Sequence, residues 1–64
     1  MKKPTCKLIG ENGNIFNLLG IASRALKEND LISQAEEMKY RIIGGEAGSY
    51  DEALHIIMEY VEIE

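Results

Sequence analysis

The sequence has very few of the side chains from which metal and nucleophilic sites are built. Its 64 residues include one cysteine, Cys6, and one histidine, His55. A single cysteine cannot form an internal disulfide, and structural zinc needs about four nitrogen or sulfur ligands. We therefore expect no disulfide framework, no metal ion and no other cofactor.

Long apolar runs are also missing from the sequence. No run approaches the roughly 20 residues that span a bilayer. The first seven residues are basic, but they are not followed by the apolar segment of a secretory signal. These two absences predict a cytoplasmic protein with no membrane partner.

The composition is nevertheless that of a folded domain. Hydrophobic residues make up 45% of the chain, which is typical of globular proteins and too high for a disordered tail. Since no repeat or linker divides the sequence, we expect one domain over 1–64, with 1–5 flexible. A chain of this size buries only about 60% of its unfolded surface, so self-association is one route to added stability.

Charge is distributed unevenly along the chain. Residues 1–27 hold five basic residues and one acidic residue, a net charge of +4. Residues 28–64 hold two basic and ten acidic residues, a net charge of −8, which gives −4 for the whole chain. Acidic surfaces of this kind keep small proteins soluble. Any basic surface must come from the N-terminal segment and the first helix.

The first half of the chain predicts an extended segment followed by a central helix. We expect residues 6–9 to be extended, a turn at 10–13, and an N-cap at Asn14. Helix one is predicted over 15–28. Its apolar positions are Ile15, Leu18, Leu19, Ala22, Ala25 and Leu26, with Phe16 and Ile21 on either side. Gly20 within this helix suggests close approach of another backbone.

The second half predicts two further helices. Helix two is predicted over 31–43, with Asn29 and Asp30 supplying caps before it and Gly44-Gly45 ending it. Its apolar stripe comprises Leu31, Ala35, Met38 and Ile42. Residues 49–52 match a capping box that begins helix three. The inward positions of helix three are predicted to be Ala53, Leu54, Ile57, Met58 and Val61.

These elements define the predicted fold class. It is mainly α: a small three-helix domain with a short extended N-terminal segment. The tail at 61–64 can continue helix three, or it can form a short strand that pairs with 6–9. We favour a helix through Val61 and an extended tail.

Catalytic and DNA-reading arrangements are poorly supported. Cys6 and His55 are the only pair for nucleophilic catalysis. We expect a buried Cys6 and an exposed His55, flanked by Asp51 and Glu59 on the polar face of helix three. That helix has no Lys or Arg, whereas a recognition helix needs donors for phosphates and base edges. The sequence therefore predicts neither an enzyme nor a helix-turn-helix protein.

Several apolar side chains fall outside the inward stripes. These candidate interface residues are Tyr40, Ile43, Ile56 and Tyr60. Tyrosine is enriched at protein interfaces because it combines a large apolar body with a polar tip. The alternative interpretation is that some of these residues cover a small core.

The segments 7–16, 22–26, 49–54 and 58–61 resemble a family of short, uncharacterised bacterial proteins that often accompany prophages or other mobile elements. The resemblance extends over nearly the whole chain. It implies a prokaryotic, cytoplasmic and phage-associated setting, and it carries no residue-level function.

Two functional hypotheses follow from the sequence. The first is a non-enzymatic accessory module that binds an unknown protein or itself, for example as a homodimer. The alternative is a nucleic-acid-binding accessory protein, which the acidity of helix three disfavours. Its basic residues would be Lys2, Lys3, Lys7, Arg24 and Lys27.

Overall fold

The computed structural model describes residues 3–8, 10 and 13–64. The described chain forms, in order, β1 (Thr5–Cys6), α1 (Ile15–Glu28), α2 (Ile32–Ile43), α3 (Tyr50–Tyr60) and β2 (Glu62–Ile63). The prediction of a small, mainly α three-helix domain with a minor strand pair is confirmed.

Helix α1 has the predicted bounds and is the central helix. The Asn14 side chain caps it by accepting a hydrogen bond from the backbone N–H of Phe16 at 2.8 Å. The helix packs against α2, α3 and β1. Its buried residues are Leu18, Leu19, Ala22, Ser23 and Leu26.

The expected close approach of a backbone at Gly20 is wrong. Gly20 is exposed, and a Cβ placed on it would meet nothing within 4 Å. It lies at the concavity between α1 and α2, beside Ser23 and Arg24, where the two helices are too far apart for their backbones to meet.

Both α1 and α2 end in a Schellman motif, in which two backbone N–H groups beyond the helix bond back to its last turn. After α1, the N–H of Leu31 donates to the carbonyl of Leu26 at 2.9 Å, and Asp30 adopts a positive φ of 61°. After α2, the N–H of Glu46 donates to the carbonyl of Arg41 at 3.0 Å, and Gly45 has a φ of 93°. Because Leu31 belongs to the end of α1, helix α2 begins one residue later than predicted.

Helix α2 turns its predicted stripe toward the core. Ala35 and Met38 are fully buried, and Leu31 and Ile42 pack against them at the edge. The stripe is narrow, so the rest of α2 stays in contact with solvent. The predicted stripe and end of this helix are confirmed, but it begins one residue later. The predicted cap from Asn29 or Asp30 is wrong, because both belong to the end of α1 and the N-cap of α2 is Leu31, which makes no side-chain cap hydrogen bond.

Helix α3 begins as predicted but is rotated relative to the predicted face. The Ser49 side chain accepts from the N–H of Glu52 at 3.2 Å, and the Glu52 carboxylate accepts from the N–H of Gly48 at 3.2 Å. The buried residues of the helix are Ala53, Ile56, Ile57 and Tyr60. Met58, predicted to face inward, is half exposed, and Leu54 is only partly buried.

The two ends of the described chain meet in a parallel strand pair. Thr5 is paired with Glu62 and Cys6 with Ile63. Hydrogen bonds from the N–H of Glu62 to Pro4 and from that of Glu64 to Cys6 measure 2.9 and 3.0 Å. The extended tail is thus confirmed, and of the two alternatives for 61–64 the strand pair is the one that forms. Helix three ends at Tyr60, one residue before the predicted Val61, and the strand pair includes Thr5 as well as Cys6 of the predicted segment 6–9.

The strand pairing begins at Thr5, within the segment expected to be flexible. Lys3, in the same segment, donates from its side-chain Nζ to the carbonyl of Met58 at 2.9 Å. Of the predicted turn at 10–13, Gly10 has a φ of 90°, while positions 11 and 12 lie outside the described residues.

The core lies between the three helices and the strand pair. Besides the helix residues, it contains Cys6, Leu8 and Val61. Within the part of the chain that the structure describes, no helix combines the length and apolar content needed to cross a membrane.

Candidate functional site

The main apolar concavity lies at one end of the helical bundle. It is formed where α1 begins, α2 ends and the 44–49 loop leads into α3. Its volume is about 360 Å³. The lining residues are Ile15, Phe16, Ile42, Ile43, Ala47, Gly48, Ser49, Tyr50 and Ala53.

A second, smaller concavity continues this surface along α2. It is lined by Glu36, Lys39, Tyr40 and Ile43 and has a volume of about 290 Å³. Since Ile43 lines both concavities, they form one continuous surface. We call it the apolar groove, defined by Ile15, Phe16, Tyr40, Ile42, Ile43, Ala47, Tyr50 and Ala53.

The groove exposes four large apolar or aromatic side chains. The exposed fractions are 68% for Phe16, 79% for Tyr40, 66% for Ile43 and 46% for Tyr50. Isolated exposed apolar side chains are ordinary, but contiguous apolar patches mark interaction sites. Ile32 and Met58 are also exposed, yet neither lines the groove.

Local signals in the sequence hold these side chains in place. The Asn14 cap fixes the first turn of α1 and hence Phe16, while the Ser49 cap fixes the first turn of α3 and hence Tyr50. The Tyr50 hydroxyl lies 3.6 Å from where a Cβ on Gly13 would stand. Tyr50 therefore reaches across the groove to the chain that precedes α1.

The four predicted interface residues are divided between surface and core. Tyr40 and Ile43 are exposed and line the groove. Ile56 and Tyr60 are 6% and 7% exposed and belong to the core cluster. Of these four residues, only Tyr40 and Ile43 are available to a partner.

A polar network beside the core explains how Tyr60 can be buried. Its hydroxyl donates to the Glu37 carboxylate at 2.5 Å and accepts from the Arg41 guanidinium at 3.1 Å. Arg41 also binds both carboxylate oxygens of Glu59, at 2.9 and 3.2 Å, and one oxygen of Glu46, at 3.0 and 3.1 Å. The guanidinium thus joins α2, α3 and the 44–49 loop.

This network shifts the pKa values of its members. The hydrogen bonds from Arg41 lower the pKa of Glu59, whereas Glu59 and Glu46 raise the pKa of Arg41 further above its ordinary value. Burial, together with the hydrogen bond to Glu37, raises the pKa of Tyr60. A positively charged Arg41 and a neutral Tyr60 are therefore retained at neutral pH.

Sequence reasoning missed Phe16, Tyr50 and the Arg41 network. The sequence pattern places Phe16 at an edge of the inward face of helix one and indicates for Tyr50 only a position in a capping box. A helical projection shows which residues share a face, but not where a neighbouring helix ends. Arg41 and Glu59 are separated by 18 positions, so no local pattern connects them.

The two residues of the candidate catalytic pair, Cys6 and His55, differ in solvent exposure. Cys6 lies in the core and burial raises the pKa of its thiol, while His55 is exposed on α3. Both positions agree with the sequence prediction. In residues 3–8, 10 and 13–64, no group of three or more His, Cys, Asp or Glu side chains could hold a metal ion.

The basic residues proposed for nucleic-acid binding lie in different grooves. Arg24 and Lys27 line a groove between α1 and α2 that also includes Lys39 and Glu28. Lys3 lies instead beside Met58 and β2. Lys2 falls outside the described residues, and Lys7 is exposed near β1.

No family model, curated protein or solved structure matches the chain. The resemblance to short mobile-element proteins stays a prediction.

Proposed function

We propose that this chain is a small non-enzymatic module that binds another protein through the apolar groove. The observation that carries the proposal is the exposure of Phe16, Tyr40, Ile43 and Tyr50 along one continuous surface. The core is built from other side chains, so these residues are not needed to complete it. The residue types also fit, because aromatic side chains are enriched at the centres of protein interfaces.

The cellular setting is part of the proposal. A cytoplasmic accessory factor of a phage or mobile element needs a specific contact and no chemistry of its own. The burial of Cys6 and the exposure of His55 agree with a role that does not depend on nucleophilic catalysis.

Two matched variants test the proposal. Ile43→Ser removes an apolar side chain from the groove, and Ile32→Ser removes one of similar exposure from the other end of α2. We expect immobilised wild-type protein and the Ile32→Ser variant to capture the same partner from a bacterial lysate. The Ile43→Ser variant should lose it while its circular dichroism spectrum stays native.

Sedimentation velocity at micromolar concentration completes this test. If the wild-type protein sediments as a dimer and Ile43→Ser dissociates it, the partner bound by the groove is a second copy of the chain and not another protein. A strict monomer that captures nothing, or capture that is unchanged in Ile43→Ser, would contradict the proposal.

A nucleic-acid-binding function is the second candidate. It is favoured by the groove between α1 and α2, where Arg24, Lys27 and Lys39 come together. Glu28 reduces its positive charge and lies 3.8 Å from Arg24 in an exposed ion pair. Phosphate binding there predicts an affinity for duplex or single-stranded DNA that falls steeply with salt and that Lys27→Ala weakens. Undetectable or salt-independent binding would remove this candidate.

A further inference from the structure

We infer that the apolar groove binds a basic amphipathic helix of another protein, with apolar side chains in the groove and Lys or Arg at its rim. The inference rests on the proposed function and names the chemistry of the partner. It is based on the shape of the groove and on the charges around it.

The shape favours a helix as the bound segment. Tyr40 and Ile43 are three residues apart on α2 and form an exposed row of side chains along one wall of the groove. Ridges of this spacing pack against the i, i+3 and i+4 side chains of another helix. The walls consist of helix and loop side chains, whereas the strand pair that could add an extended peptide contributes no lining residue.

Acidic residues outnumber basic ones at the groove. The Glu52 carboxylate accepts a hydrogen bond from the N–H of Gly48, which lines the main concavity. Asp51 and Glu52 follow Tyr50 in the first turn of α3, and Glu36 lies beside Tyr40 and Ile43. Glu46, which precedes Ala47, forms an ion pair with Arg41. Arg41 forms a second ion pair with Glu59. Only Lys39 adds a further positive charge to the groove walls.

This charge distribution distinguishes between partners. Around the groove, Glu36, Asp51 and Glu52 carry three negative charges against the one positive charge of Lys39, while Arg41 is offset by Glu46 and Glu59. A symmetric contact between two copies would place the same acidic rims against each other, which is unfavourable. A partner with Lys or Arg beside its apolar stripe gains both hydrophobic burial and attraction.

Two synthetic peptides test the inference. They share length and apolar positions and adopt amphipathic helices, but one has Lys and the other Glu at every polar position. Titration into the ¹⁵N-labelled protein should show the Lys peptide shifting the amide signals of Phe16, Ile43, Ala47 and Tyr50. We expect the Glu peptide to bind at least about tenfold more weakly, and added salt to weaken the Lys peptide.

Matched variants locate the apolar and charged parts of the contact. Ile43→Ser should weaken the Lys peptide severalfold, whereas Ile32→Ser should not. The double change Glu36→Gln and Asp51→Asn should also weaken it. Glu62→Gln, a neutralisation at an exposed position on β2, is the charge control and should leave the affinity unchanged.

Three outcomes of the peptide titrations would overturn the inference. They are equal affinity for the two peptides, no binding of the Lys peptide, and Lys-peptide binding that Ile43→Ser leaves unchanged. If the two peptides bind with equal affinity and Ile43→Ser abolishes that binding, the partner is not basic, but the groove is still a protein-binding surface. Dimerisation that competes with the peptide would replace the partner with a second copy. The proposed function itself is tested by separate experiments, capture and sedimentation among them.

Discussion

At the scale of single residues, two glycines have similar surroundings but different backbone requirements. A Cβ added to Gly20 or to Gly45 would meet nothing within 4 Å. Gly20 lies inside α1, where glycine is the weaker helix former. Gly45 has a φ of 93°, which L side chains rarely adopt. A methyl group therefore has room at both positions, and the two sites differ only in backbone conformation.

We expect opposite effects on stability when each glycine is replaced by alanine. Gly20→Ala should raise the free energy of unfolding by about 1 kcal/mol, because alanine loses less backbone entropy in a helix. Gly45→Ala should lower it by about 1 to 2 kcal/mol, because alanine is strained in the left-handed region. Urea denaturation followed by circular dichroism measures both changes, and changes of the same sign would contradict this account.

Residue burial was predictable wherever one helix face was clearly apolar. Ala35 and Met38 of α2 are buried as predicted, because polar positions flank their narrow stripe. Met58 and Phe16 were misassigned, because α3 and α1 have apolar residues on more than half of their circumference. For such helices, contacts with the neighbouring elements decide which side chains remain exposed.

At the scale of elements, the N-caps of α1 and α3 were the most predictable features. A capping residue and its helix are adjacent in sequence, so the signals at Asn14 and Ser49 needed no tertiary information. The rotation of α3 was not predictable, because it depends on the burial of Tyr60. That burial requires hydrogen bonds to Glu37 and Arg41 on another helix.

Removing the cap of α3 should destabilise the protein measurably. Ser49→Ala eliminates the acceptor for the N–H of Glu52 and should lower the free energy of unfolding by about 1 kcal/mol. Ser33→Ala, at an exposed position in the first turn of α2, is the matched control and should change it by less than about 0.5 kcal/mol. Thermal and urea unfolding of both variants provide the comparison, and equal losses would argue against the capping role.

The Arg41 network predicts a dependence of stability on pH. Because the pKa of Glu59 is lower in the folded protein than its ordinary value of 4.5, its contribution is present above that pH. It is lost as the pH falls through the lowered pKa. The free energy of unfolding of wild type should therefore exceed that of Glu59→Gln above about pH 5, and the gap should close toward pH 3.

The control for this pH series is Glu62→Gln, which removes one negative charge outside the network. Its difference from wild type should vary less with pH than that of Glu59→Gln. A Glu59→Gln difference that stays constant between pH 3 and pH 7 would contradict the role assigned to the ion pair.

At the scale of the whole molecule, the strand pair joins the two ends of the described chain over the core. The sequence predicted that the tail could pair with the N-terminal segment, since the tail alternates apolar and acidic residues as a short strand does. It did not indicate a parallel register, because the relative direction of the strands is set by the three intervening helices. The groove has the same origin, since it exists only where three helix ends meet.

Deleting residues 62–64 should expose the Cys6 thiol. Burial protects this side chain and raises its pKa, so Cys6 should react slowly with a disulfide reagent at neutral pH in the native protein. The deletion removes the backbone groups that bond to Pro4, Cys6 and Leu8, and labelling should accelerate. The control variant, with Glu62→Gln and Glu64→Gln, keeps the backbone and should react like wild type. An unchanged rate in the deletion variant would show that the strand pair does not protect the core.

The protein-binding role of the groove is tested most directly by photo-crosslinking in cells. A benzophenone side chain is placed at position 40, in the groove, or at position 58, which is exposed outside it. We predict a light-dependent covalent adduct of defined mass from position 40 and none from position 58. Adducts from both positions, or from neither, would contradict the assignment of the groove as the binding surface.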